Sequence, residues 1–340
     1  MKDTHFILFS TCVPVAGANR SVICDIQRST FKFIPNALFE ILNIHLDKSI
    51  NKIKEFFENQ HDEIIEGYFN FLLENEFGFI GCIEERKNFP KLDLSWKSPI
   101  EITNAIIDIN SNSNFEFELI AQDLSTLGCR AIELRMYDLI EFENLKLILK
   151  CFEDTRIKTI YILMKYSDKI LEEDLEVLCY NFQRVRKISF HSSPFEKNIN
   201  FKTNFGSCSY FKSIIKSSDC CGKIGIKNFR VNMGLFTESH NFNSCLNRKV
   251  SIDMNGFIKN CPSSLKSFGR IQDGDRIIEA VTNNEFQKLW KITKDQISVC
   301  KDCEFRYICT DCRAFIQEDA NILSKPLKCN YNPYTALWEN

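Results

Sequence analysis

The chain has 340 residues, and its 43 lysine and arginine residues against 45 aspartate and glutamate residues give a net charge of −2. This balance excludes a strongly basic nucleic-acid footprint and an acidic solvating tail. No apolar run approaches the roughly 20 residues that a transmembrane helix needs. A hydrophobic content of 44% is typical of a folded protein, and the length leaves room for two or three domains. We therefore expect neither a nucleic acid nor a membrane as a partner.

Residues 1–85 are predicted to form a small module of strands followed by helices. Short apolar runs predict strands at residues 6–9, 20–26 and 31–33, with a closing strand at 78–83. Three helical patterns lie between them: residues 36–44, a helix capped by Ser49, and a longer helix capped by Asp62. A β-hairpin followed by three short helices is typical of a winged-helix-like module.

Strands and helices alternate in the middle of the chain, after a polar, proline-bearing linker at residues 86–99. Strands are predicted at residues 102–109, 131–134, 159–163 and 185–190. Helices are predicted at residues 115–127, 139–151 and 171–180. This alternation predicts parallel βα units, arranged either as a partial barrel or as an open sheet.

The N-terminus loosely resembles a signal peptide, but its composition argues against that interpretation. Asp3 adds an acidic residue to the amino end, and Ser10, Thr11 and Pro14 interrupt the apolar run. We therefore expect a cytoplasmic protein. In that compartment disulfides are disfavoured, and clustered cysteines indicate ligands of a metal or of a cluster.

Seven of the 16 cysteines fall within residues 245–329. Cys245 and Cys261 belong to a C-x10-G-x4-C motif, in which Asn255-Gly256 separates two short apolar runs. Asn-Gly between such runs is a strong hairpin signal, so we expect a turn that brings the two cysteines to one side. The other five follow as C-x2-C-x5-C-x2-C and, after 16 residues, a last cysteine: Cys300, Cys303, Cys309, Cys312 and Cys329.

Three interpretations of the cysteines compete. Inert packing suits isolated cysteines in apolar patterns, such as Cys24, Cys82, Cys129, Cys151 and Cys179. A structural zinc ion would take the four thiolates of the C-x2-C pairs but would leave three cysteines unexplained. Iron–sulfur clusters, each commonly bound by four cysteines, would use nearly all seven.

The spacing of the seven cysteines and Gly256 resembles the SPASM domain of radical-SAM peptide-modifying enzymes, which holds two auxiliary [4Fe–4S] clusters. One spacing departs from the family pattern, since two residues precede Cys312 where three are usual. The resemblance implies that one cluster is bound by Cys300, Cys303, Cys309 and Cys329. It implies that the other is bound by Cys245, Cys261 and Cys312. For the fourth ligand of this second cluster, the sequence leaves open Cys220, Cys221, His240, substrate or a vacant position.

The radical-SAM motif C-x3-C-x2-C, which would bind the cluster that cleaves S-adenosylmethionine, is absent from the chain. The corresponding segment after the first predicted strand of the alternating part, residues 107–113, reads Ile-Asp-Ile-Asn-Ser-Asn-Ser. Strand ends in that family are rich in glycine, which lets the backbone approach the cofactor. Between residues 82 and 205 this chain has only Gly128, at a predicted helix end. We therefore expect a barrel-like shape without SAM binding or cleavage, and we assign no catalytic residue.

The whole chain resembles the SPASM protein of grasp-with-spasm systems. The resemblance is carried by Ile-Cys-Asp-Ile-Gln-Arg at 23–28, Phe-Ile-Pro-Asn at 33–36 and the cysteine-rich segment 299–314. In such systems an ATP-grasp ligase crosslinks a ribosomally made precursor peptide. The N-terminal module also resembles a RiPP recognition element, which binds leader peptide as an added strand.

The resemblance implies an α/β fold in three parts with a linker. The parts are a winged-helix-like leader-recognition module at 1–85, the linker at 86–99, a degenerate partial (βα) barrel of radical-SAM type at 100–230, and a SPASM iron–sulfur domain at 231–340. The implied partners are the precursor peptide and the ATP-grasp ligase. Three functions remain open: a peptide maturase that acts directly, a scaffold that captures leader peptide with structural clusters, and a zinc-binding interaction protein.

Overall fold

The computed structural model describes residues 4–202 and 205–339. Its strands are β1 His5–Leu8, β2 Cys12–Val15, β3 Ser21–Asp25, β4 Thr30–Ile34, β5 Gly78–Gly81, β6 Asn104–Ile109, β7 Ala131–Met136, β8 Thr159–Lys165, β9 Val185–His191, β10 Lys197–Asn200, β11 Ser207–Tyr210, β12 Lys249–Ile252, β13 Ile258–Lys259, β14 Tyr331–Asn332 and β15 Leu337–Trp338. Its α-helices are α1 Asn36–Ile44, α2 Ile50–Phe56, α3 Asp62–Glu74, α4 Phe117–Thr126, α5 Phe142–Lys150, α6 Glu172–Asn181, α7 Met233–Asn241, α8 Ile277–Thr282 and α9 Asn284–Gln287.

The N-terminal strands and helices lie where the sequence predicts them, with two differences. Strand β2, which is only four residues long and contains Pro14, is not predicted from the sequence. It pairs with β3, which pairs with β4, to give a three-stranded antiparallel sheet. The prediction that Asp62 caps α3 is wrong, because Asp62 is the first helical residue and the cap position is His61. The Ser49 cap is confirmed, since its side chain accepts a hydrogen bond from the Lys52 N–H.

The three-stranded sheet is covered on both faces. Ile23 and Ile34 pack into one apolar cluster with α1, α2 and α3. Val22 and Cys24, which point the other way because side chains alternate along a strand, pack with Phe305 and other residues of the cysteine-rich segment. The N-terminal module is therefore joined to the C-terminal part of the chain by a shared core.

The middle of the chain forms one large, mostly parallel sheet. Its eight strands lie in the order β10-β11-β9-β8-β7-β6-β12-β13. The six inner strands are parallel, and β10 and β13 are antiparallel edge strands. The four predicted strands and three predicted helices of this region are confirmed with small shifts at their ends. The two ends of the sheet do not pair within the described residues, so the sheet is not a closed barrel, as both predicted arrangements require.

Strands from the cysteine-rich part extend this sheet. β12 lies parallel to β6, with Val250 opposite Ala105 and Ile252 opposite Ile107, and β13 pairs with β12. The residue before β6, Thr103, is also held by Arg248 through its backbone N–H, 2.8 Å from the Arg248 carbonyl oxygen. The domain division at residue 230 stays a prediction, and the sheet runs across it. Across the described ranges 4–202 and 205–339, no helix is long and apolar enough to cross a membrane.

We expect Phe305→Ala to destabilise the protein by about 3–5 kcal/mol, because it empties a packed site in the shared core. Phe305 is 1% exposed, and its ring lies 5.6 Å from that of Phe31 and 4.9 Å from that of Phe229. The measurement is the free energy of unfolding from urea titration. The control is Leu265→Ala at a fully exposed position, for which we expect a change below about 0.5 kcal/mol. Equal effects of the two substitutions would contradict the shared core.

Candidate metal centres

The C-x10-G-x4-C motif folds as the sequence predicts, and it brings its two cysteines together. Gly256 adopts a left-handed conformation (φ +84°), and the Asp253 carboxylate accepts hydrogen bonds from the N–H groups of Asn255 and Phe257. The turn therefore spans five residues between β12 and β13 and is longer than a two-residue Asn-Gly turn. Cys245 and Cys261 come within electrostatic range of each other at the base of this hairpin.

Two further cysteines approach this pair. Cys312 lies within electrostatic range of Cys245, and Cys221 lies within range of Cys261. The backbone beside Cys221 also passes close to Cys312, since a Cβ atom placed on Gly222 would lie 3.0 Å from the Cys312 Sγ. We call Cys221, Cys245, Cys261 and Cys312 the second cysteine group. It contains the three ligands implied for the second cluster and one of the candidates for the fourth.

The first cysteine group comprises the other four implied ligands: Cys300, Cys303, Cys309 and Cys329. Cys309 lies within electrostatic range of Cys300 and Cys329, and Cys303 lies within range of Cys300 and Cys309. A 3-10 turn at Cys300–Asp302 begins with the first of these cysteines and is followed directly by the second, Cys303. It follows Val299, whose φ of +67° is strained for a β-branched residue. Such strain costs about 1–3 kcal/mol and is typical of functional sites.

A buried lysine belongs to the first group. Lys294 is 4% exposed, and its Nζ lies 3.6 Å from Asp311 Oδ1. Burial lowers the pKa of Lys294, but the nearby thiols of Cys309 and Cys300 and the Asp311 carboxylate more than offset this, so the pKa is raised. Asp311 also pairs with Arg313, at 2.8 Å. The one carboxylate thus pairs with two cations, so one positive charge stays uncompensated beside the thiols.

The second group has its own cations. Lys249 Nζ lies 3.7 Å from Cys245 Sγ, and the thiols of Cys245 and Cys261 offset the effect of burial and raise the pKa of Lys249. The Arg135 Nη1 donates a hydrogen bond to Cys221 Sγ at 3.0 Å. A hydrogen bond from Cys220, together with the charge of Arg135, lowers the pKa of Cys221 despite its burial.

The other side chains singled out in the sequence have different surroundings. His240 donates from Nδ1 to the Phe236 carbonyl oxygen (2.8 Å) and stacks on Tyr307, with 3.5 Å between ring centroids. Of the five cysteines interpreted as packing residues, Cys82 is exposed and Cys151 half-buried, whereas three are buried: Cys24, Cys129 and Cys179. The packing interpretation is therefore wrong for Cys82.

The donor chemistry of both groups fits iron–sulfur clusters. Each group offers four thiols, which are the usual cluster ligands, and each has a lysine whose positive charge would be balanced by bound thiolates. Within the part of the chain that the structure describes, no three His, Cys, Asp or Glu side chains stand ready to hold a single metal ion.

Sequence reasoning missed the cations that accompany the cysteines. Lys249 lies within the C-x10-G-x4-C motif but is not one of its defining residues, and Lys294 lies outside both cysteine motifs. Arg135 and Asp108 carried a usable signal, because each is a charged residue near the end of a buried parallel strand. They are direct partners in the register of β6 and β7, so a register prediction would have paired them.

Comparison with known proteins leaves the family unassigned. No protein-family model matches the sequence, and no curated protein matches it. Among solved structures, a match is the SuiB protein of Streptococcus suis bound to S-adenosylmethionine. That match has 11% sequence identity and a TM-score of 0.37, and it covers 91% of this chain and 96% of SuiB. Similarity at this level carries no argument about fold or function.

In the reduced, iron-free protein, we expect iodoacetamide to modify Cys221 before Cys220 at about pH 7.5, because the thiolate is the reactive form. The pKa of Cys221 is lowered. The pKa of Cys220 is raised by its hydrogen bond to Cys221 and by burial. The measurement is time-resolved peptide mapping by mass spectrometry. Cys24, whose pKa burial raises to about 12, is the internal control and should stay unmodified. Equal rates at Cys220 and Cys221 would contradict the assignment of the thiolate.

Proposed function

We propose that this protein is an iron–sulfur protein of the SPASM type that acts in the maturation of a ribosomally made peptide together with an ATP-grasp ligase. It holds two [4Fe–4S] clusters and does not cleave S-adenosylmethionine. The observation that carries the proposal is the sorting of eight cysteines into two groups, each beside a lysine whose positive charge the thiols stabilise.

The arrangement of the thiols supports the ligand sets that the resemblance implies. Cys300, Cys303, Cys309 and Cys329 would hold the first cluster. Cys245, Cys261 and Cys312 would hold the second, and we assign Cys221 as its fourth ligand. Of the candidates for that position, Cys221 lies within electrostatic range of Cys261, and the backbone of the next residue, Gly222, passes close to Cys312. The bound clusters would supply the negative charge that Lys249 and Lys294 lack.

The end of β6 supports the absence of SAM chemistry. A radical-SAM enzyme would carry its three cluster-binding cysteines just after this strand. Here the next-to-last residue of the strand is Asp108, which forms an ion pair with Arg135 of the neighbouring strand (2.6 Å). The following loop carries Asn110 and Ser113. The Ser113 hydroxyl is bound to the Met254 carbonyl oxygen at 2.9 Å.

The N-terminal sheet supports peptide capture by strand addition. In the order β2-β3-β4, the outer edge of β4 has no strand partner among the residues that the structure describes. The Ile26 N–H donates to the Thr11 carbonyl, which fixes the direction in which the backbone N–H and C=O groups alternate along β3. In the paired strand β4, the backbone groups of Lys32 therefore point toward β3, and those of Phe31 and Phe33 point outward. An extended leader peptide would pair with these groups. The opposite edge, β2, carries Pro14, which has no N–H to offer.

The enzyme and scaffold functions differ in what the clusters do. As a scaffold, the protein captures leader peptide on β4 and presents the core peptide to the ligase, and its clusters are structural. The burial of two ligands of the first group, Cys300 and Cys309, which are 7% and 6% exposed, favours this role. Direct catalysis would need a cluster open to substrate.

Anaerobic purification should give about eight iron atoms per chain, with matching sulfide, and no cleavage of added S-adenosylmethionine. Cys309→Ala should lower the iron content to about four atoms, because it removes one ligand of the first cluster. The control Cys24→Ala, at a cysteine packed in an apolar core, should keep about eight. Stoichiometric zinc without iron would disprove the proposal.

Co-expression with the precursor peptide and the ligase should give less crosslinked peptide with Phe33→Pro than with Phe33→Ala. Proline removes the outward N–H of β4, whereas alanine keeps it, and both remove the same ring. A drop of about tenfold between them corresponds to about 1.4 kcal/mol, the size of one lost hydrogen bond. The measurement is the mass spectrum of the peptide. Equal yields would contradict strand addition at β4, and a mass change beyond the ligase's loss of water would support direct catalysis.

A further inference from the structure

A buried ion pair lies at the end of the parallel strands, beside the second cysteine group. Asp108 on β6 and Arg135 on β7 face each other in the strand register and are 1% and 3% exposed. Arg135 Nε donates to Asp108 Oδ1 at 2.6 Å, and the Tyr137 hydroxyl donates to Asp108 Oδ2 at 2.8 Å. Both oxygens of the carboxylate are therefore satisfied within the protein.

The guanidinium of Arg135 is not fully satisfied. Its Nη2 is buried and has no hydrogen-bond partner in the structure. Buried donors, above all charged ones, are nearly always paired, and leaving one unpaired costs free energy. The geometry therefore points to an acceptor that the protein itself does not provide.

The position of this acceptor follows from the shape of the side chain. A guanidinium is planar and holds its N–H groups in a rigid fork, so Nη2 is adjacent to Nη1. Nη1 already donates to Cys221 Sγ at 3.0 Å. One of the two N–H groups of Nη2 points toward the side of Nε, which donates to Asp108, and the other points alongside Nη1. An acceptor for the latter would lie near the Cys221 sulfur, and Cys221 lies within electrostatic range of Cys261.

We propose that Arg135 is a positioning residue of the second cluster: Nη1 holds the Cys221 thiolate as a ligand, and Nη2 donates to a sulfur of the cluster bound there. Asp108 and Tyr137 keep the guanidinium aimed at this site. This inference rests on the proposed function, because it requires the second cluster.

The proposal has an electronic consequence. A reduced cluster carries one more negative charge than an oxidised cluster, so a neighbouring cation and N–H···S hydrogen bonds stabilise the reduced form. Arg135 therefore raises the reduction potential of the second cluster and leaves that of the first cluster, which it does not touch, unchanged.

The test is a redox titration of the full-length, cluster-loaded protein, followed by electron paramagnetic resonance. Arg135→Met combined with Asp108→Asn removes both charges, so no unpaired carboxylate stays buried. At the potential at which the second cluster of the wild-type protein is half reduced, we expect the ratio of reduced to oxidised second cluster in the double variant to be at least tenfold lower. This ratio corresponds to a shift of about 59 mV for one electron. The second cluster is the one whose signal changes in Cys221→Ser.

Arg135→Lys is the conservative variant, and it tests the inference even where the double variant folds poorly. Lysine keeps the charge beside Asp108 but cannot donate to Asp108, Cys221 and a third acceptor in one plane. We expect a smaller shift of the same cluster in the same direction. The matched control is Arg276→Met combined with Asp123→Asn, which removes both charges of another ion pair with a buried carboxylate and should leave both potentials unchanged.

Unchanged potentials in both Arg135 substitutions, in protein that carries about eight iron atoms, would overturn the inference and leave the proposed function standing. Loss of the second cluster alone in the double variant, with the first retained, would support the positioning role. A wild-type protein without iron would overturn the proposed function itself, so the two failures are distinguishable.

Discussion

Positive charge buried beside thiols is the constraint on which the candidate site depends. Moving a charge from water into a protein interior costs several kcal/mol unless it is paired. Lys294 shares the Asp311 carboxylate with Arg313, and Arg135 keeps an unpaired Nη2. If the cysteines were inert packing residues, these buried cations would lack a sufficient counter-charge. Thiolates that bind a cluster supply the missing negative charge.

The same constraint explains why the two cysteine groups sit where they do. The first group packs against the face of the N-terminal sheet that Val22 and Cys24 present, in a core that also contains Phe305. The second group lies at the hairpin that extends the large sheet, next to the strand ends of β6 and β7. Each group is thus anchored to a separate sheet, and the residues from 300 to 312 connect the two.

This arrangement links peptide capture to the proposed clusters. The β4 strand, whose outer edge we assign to leader peptide, places Phe31 and Phe33 on the ring of Phe305, at 5.6 and 5.8 Å between centroids. Phe305 follows Cys303 by two residues. The edge strand therefore packs directly against the loop that carries the first cysteine group.

The sequence by itself determined the helices of the N-terminal module, its strands other than β2, and the four central strands of the parallel sheet with their helices, because apolar periodicity reports local burial directly. It also determined which cysteines are spaced as ligands, since the hairpin at Gly256 and the C-x2-C turns are local. Only the tertiary structure decided that Cys221 lies near Cys261 and that β12 pairs with β6. It also decided that Lys249, Lys294 and Arg135 lie beside the thiols. These contacts join residues far apart in the chain, and their partners are selected by packing and charge balance in three dimensions, which no local pattern encodes.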